Sequence, residues 1–399
     1  MTRPAHCTVC GSPGLATALS FGKQPPANRF LAPGATGSEE KFPLSIGNCG
    51  KCGTIQLVDR MPVAAIRPRF DWLVYNEPEA HLDDTAALLS KLPGLSAQSR
   101  LLGVTYKDAS TLARLRALGL QNSAVMSASD LDAGTSPYGI ETIQQILSDE
   151  AGVERVRDRL GRAELLVVRH VLEHAPDARG LIASLRGLIE PGGYLMFEMP
   201  DSERILKLGN HGFVWEEHIS YFTESSLKRL ASEAGAHLVM LRRYPYPYED
   251  SLVMILGFDP SHPSAAVENP AAAKKSAEIL SAFSAALPGA KKRWRKMLSE
   301  SRETGKKVAV FGAGHLAAKF INFLELADQI DCVVDDQPKK VGLLMPGSHL
   351  PIVPSSELSA RGIRVCVSTL NPESEAKVKT KLAEFFASGG TFLPAFATA

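Results

Sequence analysis

Charge of one sign is almost absent: 44 Lys and Arg face 43 Asp and Glu, a net +1 over 399 residues. Neutralising a phosphate backbone takes a basic face, so this balance excludes a dedicated nucleic-acid binder. The one basic cluster, Lys291-Lys292-Arg293-Trp294-Arg295-Lys296, reads as a solvated helix face. No uninterrupted apolar run approaches a membrane span, and the opening MTRPAHCTVCG has no apolar signal core. The expectation is a soluble, cytoplasmic protein with no membrane partner. Cysteine is sparse, at six residues. Nothing near the four that pair in sequence reads as a thioredoxin-type βαβ unit, which argues against a redox role. Glycine is missing from one telling place. After a strand at Arg100–Val104, a Rossmann-like ligand site wants a glycine-rich turn, so that backbone approaches the ligand and a helix N-terminus faces it. The run LLGVTYKDASTLARLRALG has only Gly103 there, with Tyr106 and Lys107 in the turn.

What is present is globular, with 45% apolar and 22% charged residues, and too long for one core, so two or three domains are expected. The four paired cysteines are Cys7-x-x-Cys10 and Cys49-x-x-Cys52, each pair followed by a glycine. Two such knuckles bring four thiolates to a tetrahedral Zn²⁺ and close its shell, leaving no open position for catalysis. The competing readings are disulfides, disfavoured in a reducing compartment, and free thiols. A structural zinc lobe over residues 1–72 is the expectation.

Glu164–Tyr221 organises the rest. An apolar strand (Leu165–Val168), a polar turn, an amphipathic helix, Pro191-Gly192-Gly193 and a second apolar strand (Tyr194–Met199) form a βαβ unit and predict a parallel sheet. Ligands of such sheets sit beyond the carboxyl ends of the strands, which points to Arg169, His170, Glu173, His174 and Asp201. Glu173 and His174 read equally as a helix start, with Asp177 as N-cap. Upstream, Gly103, Thr105 and Asp108 can contact a cofactor, and either Asp108 or Ser110 can cap the helix that follows. Asp130 and Asp132 follow a strand at Ser123–Ser127, where a carboxylate commonly accepts ribose hydroxyls. Downstream, WEEH places Glu216, Glu217 and His218 beside Tyr221. A histidine among carboxylates suits a general base, because neighbouring negative charge raises its basicity. Strands near His237–Tyr244 and Ser251–Phe258 form a hairpin. Pro260–Pro270 is a linker, and the amphipathic helix beyond it is expected to break at Pro288. Finally, KKVAVFGAGHLAAKFINFLELADQIDCVVDD sets Gly312, Gly314 and Asp335 in a Rossmann-type βαβ unit, which by itself reads as a dinucleotide site.

RHVLEHAPD followed by LIEPGGYLMFEMPD resembles the middle of a class I S-adenosylmethionine-dependent methyltransferase. WEEHISYF is similar to the HEH-containing segment of the C-methyltransferases that act on nucleotide-activated deoxysugars. FGKQPPANRFL (Phe21–Leu31), the CGTIQLV after the second knuckle, and the C-terminal GAGHLA, DDQPKKVG and PGSHLPI segments extend that resemblance over nearly the whole chain. It implies an α/β protein: a Rossmann-like class I methyltransferase core (73–260) between an N-terminal zinc-binding lobe and a C-terminal Rossmann-like lobe (261–399). It implies S-adenosylmethionine as cofactor, held by Gly103, Thr105, Asp108, Asp130, Arg169 and His170. His218 is implied as base, with Glu217 orienting it and Tyr221 or Tyr75 near an enolate. A nucleotide-sugar is the implied partner, bound by Asp201, Glu216, Gly312, Gly314, His315 and Asp335. Glu216 stands where the family has its first histidine, and Glu249-Asp250-Ser251 where it commonly has Gly-Gly-Ser. The alternatives are an NAD(P)-dependent enzyme using GAGHLA, and a binding protein that has lost the cofactor. A monomer and a homodimer are both compatible with the sequence.

Overall fold

A computed structural model of the chain describes residues 6–70, 77–133, 139–258 and 270–398. It contains three sheets. The central one has six strands in the order Ser123–Val125, Leu101–Gly103, Ala163–Arg169, Ile189–Asp201, Asp250–Gly257, His237–Tyr244. The first four run parallel, and Asp250–Gly257 is antiparallel to both of its neighbours. Alternate residues of these strands enter two different cores. Leu102, Leu166, Val168 and Phe197 pack on one face, and Leu101, Leu165, Val167 and Met196 on the other. Burial on both faces is why the strands read as continuous apolar runs. The chain leaves Leu101–Gly103 towards one edge and returns on its other side at Ala163–Arg169. That reversal opens a crevice at the carboxyl ends of these two strands.

The C-terminal sheet is fully parallel, in the order Ile352–Val353, Cys332–Val334, Lys307–Phe311, Ile363–Ser368, Thr391–Pro394. Its reversal lies between Lys307–Phe311 and Ile363–Ser368, so Gly312 and Thr369 face each other across a second crevice.

The N-terminal sheet is antiparallel: Leu15–Gln24, Phe42–Cys49, Ile55–Leu57, and then Ser220–Tyr221, two residues past His218. Among the described residues it has no core of its own. Cys7, Val9, Cys10 and Cys49 belong to the core of the central sheet, whereas Phe21, Phe30, Leu44 and Ile46 pack with Phe283, Phe320 and Val310 of the C-terminal part. The Phe21 and Phe323 rings stack with centroids 3.9 Å apart.

Two local expectations are corrected. The helix Pro270–Glu303 runs unbroken through Pro288. A mid-helix proline is unfavourable by about 3 kcal/mol, and buried Phe283, Leu287, Ala290 and Leu298 on both sides of it supply the contacts that outweigh this. Pro191-Gly192-Gly193 does not separate helix from strand either. The strand spans Ile189–Asp201 and absorbs those residues as an irregularity, with Gly192 at φ 82° and a register shift opposite Ala163/Leu165. The predicted linker residues 260–269 lie outside the described residues. Among the described residues, no helix is long and apolar enough to cross a membrane.

Candidate active site

The crevice of the central sheet is a cavity of about 380 Å³. Its floor is the turn that lacks glycines. Asp108 Oδ2 accepts from the Val104 and Thr105 amides at 2.8 and 2.6 Å, and Oδ1 accepts from the Arg169 amide at 2.8 Å. Thr105 caps the turn by accepting from the Lys107 amide at 3.2 Å. A Cβ on Gly103 would lie 2.8 Å from Asp108 Cβ, so glycine is needed there to admit Asp108 rather than a ligand. The Arg169 guanidinium, 1% exposed, is held by Glu198 at 2.6 Å and by Ser110 at 3.0 Å. Gly103, Asp108 and Arg169 are thus internal scaffolding. Thr105 and His170, of the residues expected to touch cofactor, line the cavity. Asp130 does not: its carboxylate accepts from the Ser127 amide at 2.8 Å and closes a capping box.

His170 ends the strand Ala163–Arg169 at φ 54°, a conformation unusual outside glycine and characteristic of functional positions. Its Nε2 lies 3.2 Å from Glu198 and its Nδ1 3.4 Å from Glu173. Burial opposes its cation, but the carboxylates of Glu77, Glu173 and Glu198 together raise its pKa to about 10. The cavity therefore holds an imidazolium.

His218 faces the same space, its ring 4.9 Å from that of His174 and 4.8 Å from that of Trp215. Its backbone is pinned on the far side, where the Ile219 amide donates to Glu173 O at 2.7 Å and Ile219 O accepts from the Leu57 amide. The expected basicity is reversed. Burial, followed by His174, His315 and His170, holds His218 well below the ordinary histidine range. Glu217 cannot counter this, because burial and then Glu141 and Glu216 push its carboxyl well above the usual range, leaving it uncharged. Glu217 accepts instead from Asn28 Nδ2 at 3.1 Å. His218 is thus a neutral imidazole with a free electron pair. Two further groups, Glu141 and Glu249, have a place in the site that the sequence did not assign. Glu141 Oε1 lies 3.1 Å from His174 Nδ1 and orients that ring. Ligand atoms of Glu173, His174 and His218 lie within 4.8 Å of one another. Glu249 also lines the cavity, and burial with Glu77 nearby pushes its carboxyl up to about 8.

The second crevice, about 610 Å³, is lined by Gly312, Gly314, His315 and Asp335. Asp335 accepts from the Ala313 and Gln337 amides and from Lys340 Nζ, each at 2.9 Å. Its oxygens thus also fasten the glycine loop. The two cavities share a wall made of Asn28, Glu77 and Trp215. Trp215 stacks on His315 at 4.5 Å. Beneath it Glu216 is fully buried. Its Oε2 meets Lys319 Nζ at 2.5 Å and His315 Nε2 at 3.2 Å, and its Oε1 accepts from the Ala27 amide. Glu216 thus ties three parts of the chain together and lines neither cavity.

Tyr221 and Asp201 also point elsewhere. The Tyr221 hydroxyl bonds the Trp215 backbone at 2.8 and 3.1 Å, and Asp201 pairs with Arg243 at 2.6 Å. Tyr75 lies outside the described residues.

The cysteines meet the geometric test for zinc. Cys7 and Cys52 Sγ are 3.4 Å apart, Cys10 and Cys49 Sγ 3.7 Å, and all four lie within 4.8 Å of one another. Zinc–thiolate bonds of about 2.3 Å in a tetrahedron put sulfurs about 3.8 Å apart, whereas a disulfide would need about 2.05 Å. Gly11 and Gly53, at φ 68° and 76°, turn each knuckle, and their amides donate to Cys7 O and Cys49 O. Thr8, inside the first knuckle, bonds Ser220 Oγ at 2.8 Å. One zinc per chain is the expected result of metal analysis. Exchanging Cys7 and Cys49 for serine should remove it and lower the thermal midpoint, since metal binding and folding are coupled.

A six-stranded sheet with one antiparallel member, a ligand crevice at its reversal and acid–base groups gathered there define a class I S-adenosylmethionine-dependent methyltransferase. The family comparisons agree. A zinc binding domain matches residues 7–66, a methyltransferase domain 86–241, and a C-methyltransferase C-terminal domain 263–396. The chain is similar along its length to C-methyltransferase NovU of Streptomyces niveus. The two are 25% identical over 404 residues, covering 97% of this chain and 94% of that protein. Among solved structures, N-methyltransferase NodS of Bradyrhizobium japonicum, bound to S-adenosyl-L-homocysteine, is 15% identical. It covers 48% of this chain and 94% of its own, with a TM-score of 0.30. A Burkholderia thailandensis 1,6-didemethyltoxoflavin-N1-methyltransferase is 17% identical over 45% of this chain and 79% of its own, also at 0.30.

Proposed function

We propose that the enzyme methylates a carbon beside the ketone of a nucleotide-activated deoxysugar, with His218 as general base. The observation that carries this reading is the shared wall of Asn28, Glu77 and Trp215 between the two cavities. A sugar attached to a nucleoside diphosphate is a two-part ligand. Its diphosphate suits the glycine turn at Gly312–Gly314, where the helix His315–Phe323 begins. Its sugar then passes Trp215 towards His218.

S-adenosylmethionine supplies the methyl group as an electrophile on a sulfonium. The protein has to expose a carbon nucleophile to it. Neutral His218 accepts the proton from the carbon next to the ketone, and the electron pair of that C–H bond passes into the enolate. The His170 imidazolium offsets the charge that develops on oxygen. The Glu173 carboxylate, close to both histidines, stabilises the imidazolium left on His218. Burial in a site joined to the second cavity keeps competing water from the enolate.

The test is methyl transfer from labelled S-adenosylmethionine to keto-deoxysugars, offered as nucleoside diphosphates and as free sugars. Label should enter a C–CH₃ group of the nucleotide form only. Equal transfer to the free sugars would remove the nucleotide from the reading, and label found on oxygen would remove the enolate.

A further inference from the structure

The amino-acid end of S-adenosylmethionine needs partners that the closed turn does not offer. In a glycine-rich turn, backbone amides at a helix N-terminus do this work. Here the Val104 and Thr105 amides are taken by Asp108, the Lys107 amide by Thr105 Oγ1, and the Asp108 amide by Thr105 O at 3.0 Å. A carboxylate arriving at this turn meets a backbone whose donors are largely used.

We infer that Lys107 and Glu77 form a side-chain clamp for the zwitterionic amino-acid end of the cofactor, Lys107 taking its carboxylate and Glu77 its ammonium. The inference rests on the S-adenosylmethionine-dependent reading above. Lys107 Nζ and Glu77 Oε1 are 2.5 Å apart, with side chains 7% and 26% exposed, and both line the cavity. An ammonium and a carboxylate side by side complement an α-amino acid, whose own two charges sit on one carbon. Each group keeps capacity for the second contact. An ammonium has three donors and a carboxylate about four acceptor positions. Among the described residues their one hydrogen bond is to each other. The pairing also keeps Glu77 charged. Burial opposes ionised Glu77, but His170 and Lys107 hold its pKa at about 2.

The rest of the cavity is graded to match. Val125, Met126, Leu131 and Ile143 offer an apolar slot beyond the edge strand Ser123–Val125, suited to a purine. Lys107 and His170 follow the two inner strands Leu101–Gly103 and Ala163–Arg169, with Glu77 bonded to Lys107. A cofactor laid from slot to clamp presents its sulfur between them.

The experiment is calorimetric titration of the full-length, zinc-loaded protein with S-adenosylhomocysteine and with 5′-methylthioadenosine, which keeps the adenosine and thioether but lacks the amino acid. The wild type should bind S-adenosylhomocysteine at least about tenfold more tightly than 5′-methylthioadenosine, the scale of one charge-assisted hydrogen bond. Lys107→Met and Glu77→Gln should each weaken S-adenosylhomocysteine by about tenfold or more and leave 5′-methylthioadenosine within about twofold, a control that also reports folding. Unchanged S-adenosylhomocysteine affinity in both variants would overturn the clamp, and so would an equal loss for both ligands. A wild type that binds neither ligand would instead overturn the cofactor reading, and the clamp with it.

Discussion

Replacing His218 with alanine should lower kcat by about 10²–10⁴-fold, the usual contribution of a positioned general base. Affinity for S-adenosylhomocysteine should change little, because His218 is placed to meet the acceptor. The same variant should stop deuterium exchange at the acceptor carbon when the cofactor is replaced by its demethylated product. The pH dependence follows from burial. His218 acts when neutral, and its pKa is held well below 6.5, so activity should persist as pH falls through the ordinary histidine range and fade only at lower pH. A His218→Ala enzyme retaining most of its kcat, or an acid limb at or above about 6.5, would move the base elsewhere. Glu173 would then be the next group to substitute, since both of its carboxylate oxygens are buried without a hydrogen-bond partner among the described residues.

The second large effect is on stability. Glu216 and Lys319 are 0% and 1% exposed, so Glu216→Ala removes the carboxylate that Lys319 pairs with in the interior. Breaking such a pair typically destabilises by about 3–5 kcal/mol. A large drop in the thermal midpoint is expected, and it should greatly exceed that of an exposed control such as Lys377→Ala on the helix Pro372–Lys381. Combining Glu216→Leu with Lys319→Met should recover much of the loss, because two apolar side chains no longer carry a desolvated charge. Burial opposes ionised Glu216, but Lys319 and His315 hold its pKa below the 4.5 of a free glutamate. Its contribution is therefore complete above that value and is lost as pH falls through the lowered one. A Glu216→Ala midpoint within a degree or two of wild type would show that this junction does not hold the lobes.

Much of this architecture was legible in the sequence because it is local. The run Leu165–Val168 lies inside the strand Ala163–Arg169, the hairpin near His237–Tyr244 is present, and Asp177 caps the helix that follows it. The knuckles were legible for the same reason, since two residues of spacing bring each sulfur pair together. What escaped notice depends on partners far away in the chain. Glu216 is held by His315, 99 positions on, a contact that no local pattern shows. Asp108 looked free because its third donor belongs to Arg169. The sign of the His218 shift could not be read from WEEH, where two glutamates suggest a raised pKa. It takes the burial of Glu217 and the approach of His174 and His315 to reverse it.

The N-terminal sheet, which borrows its last strand from Ser220–Tyr221 and its apolar partners from Phe283 and Phe320, has a consequence for the order of assembly. Domains commonly fold as they leave the ribosome, first part first. This lobe cannot follow that order, because the residues that complete it are made only after most of the chain. Until then its cysteines and Phe21 have no finished surface to join. Synthesis must therefore carry an unfinished beginning past the middle of the chain, held only by what it makes from its own residues, the pairing of its first three strands and the cluster of its four cysteines.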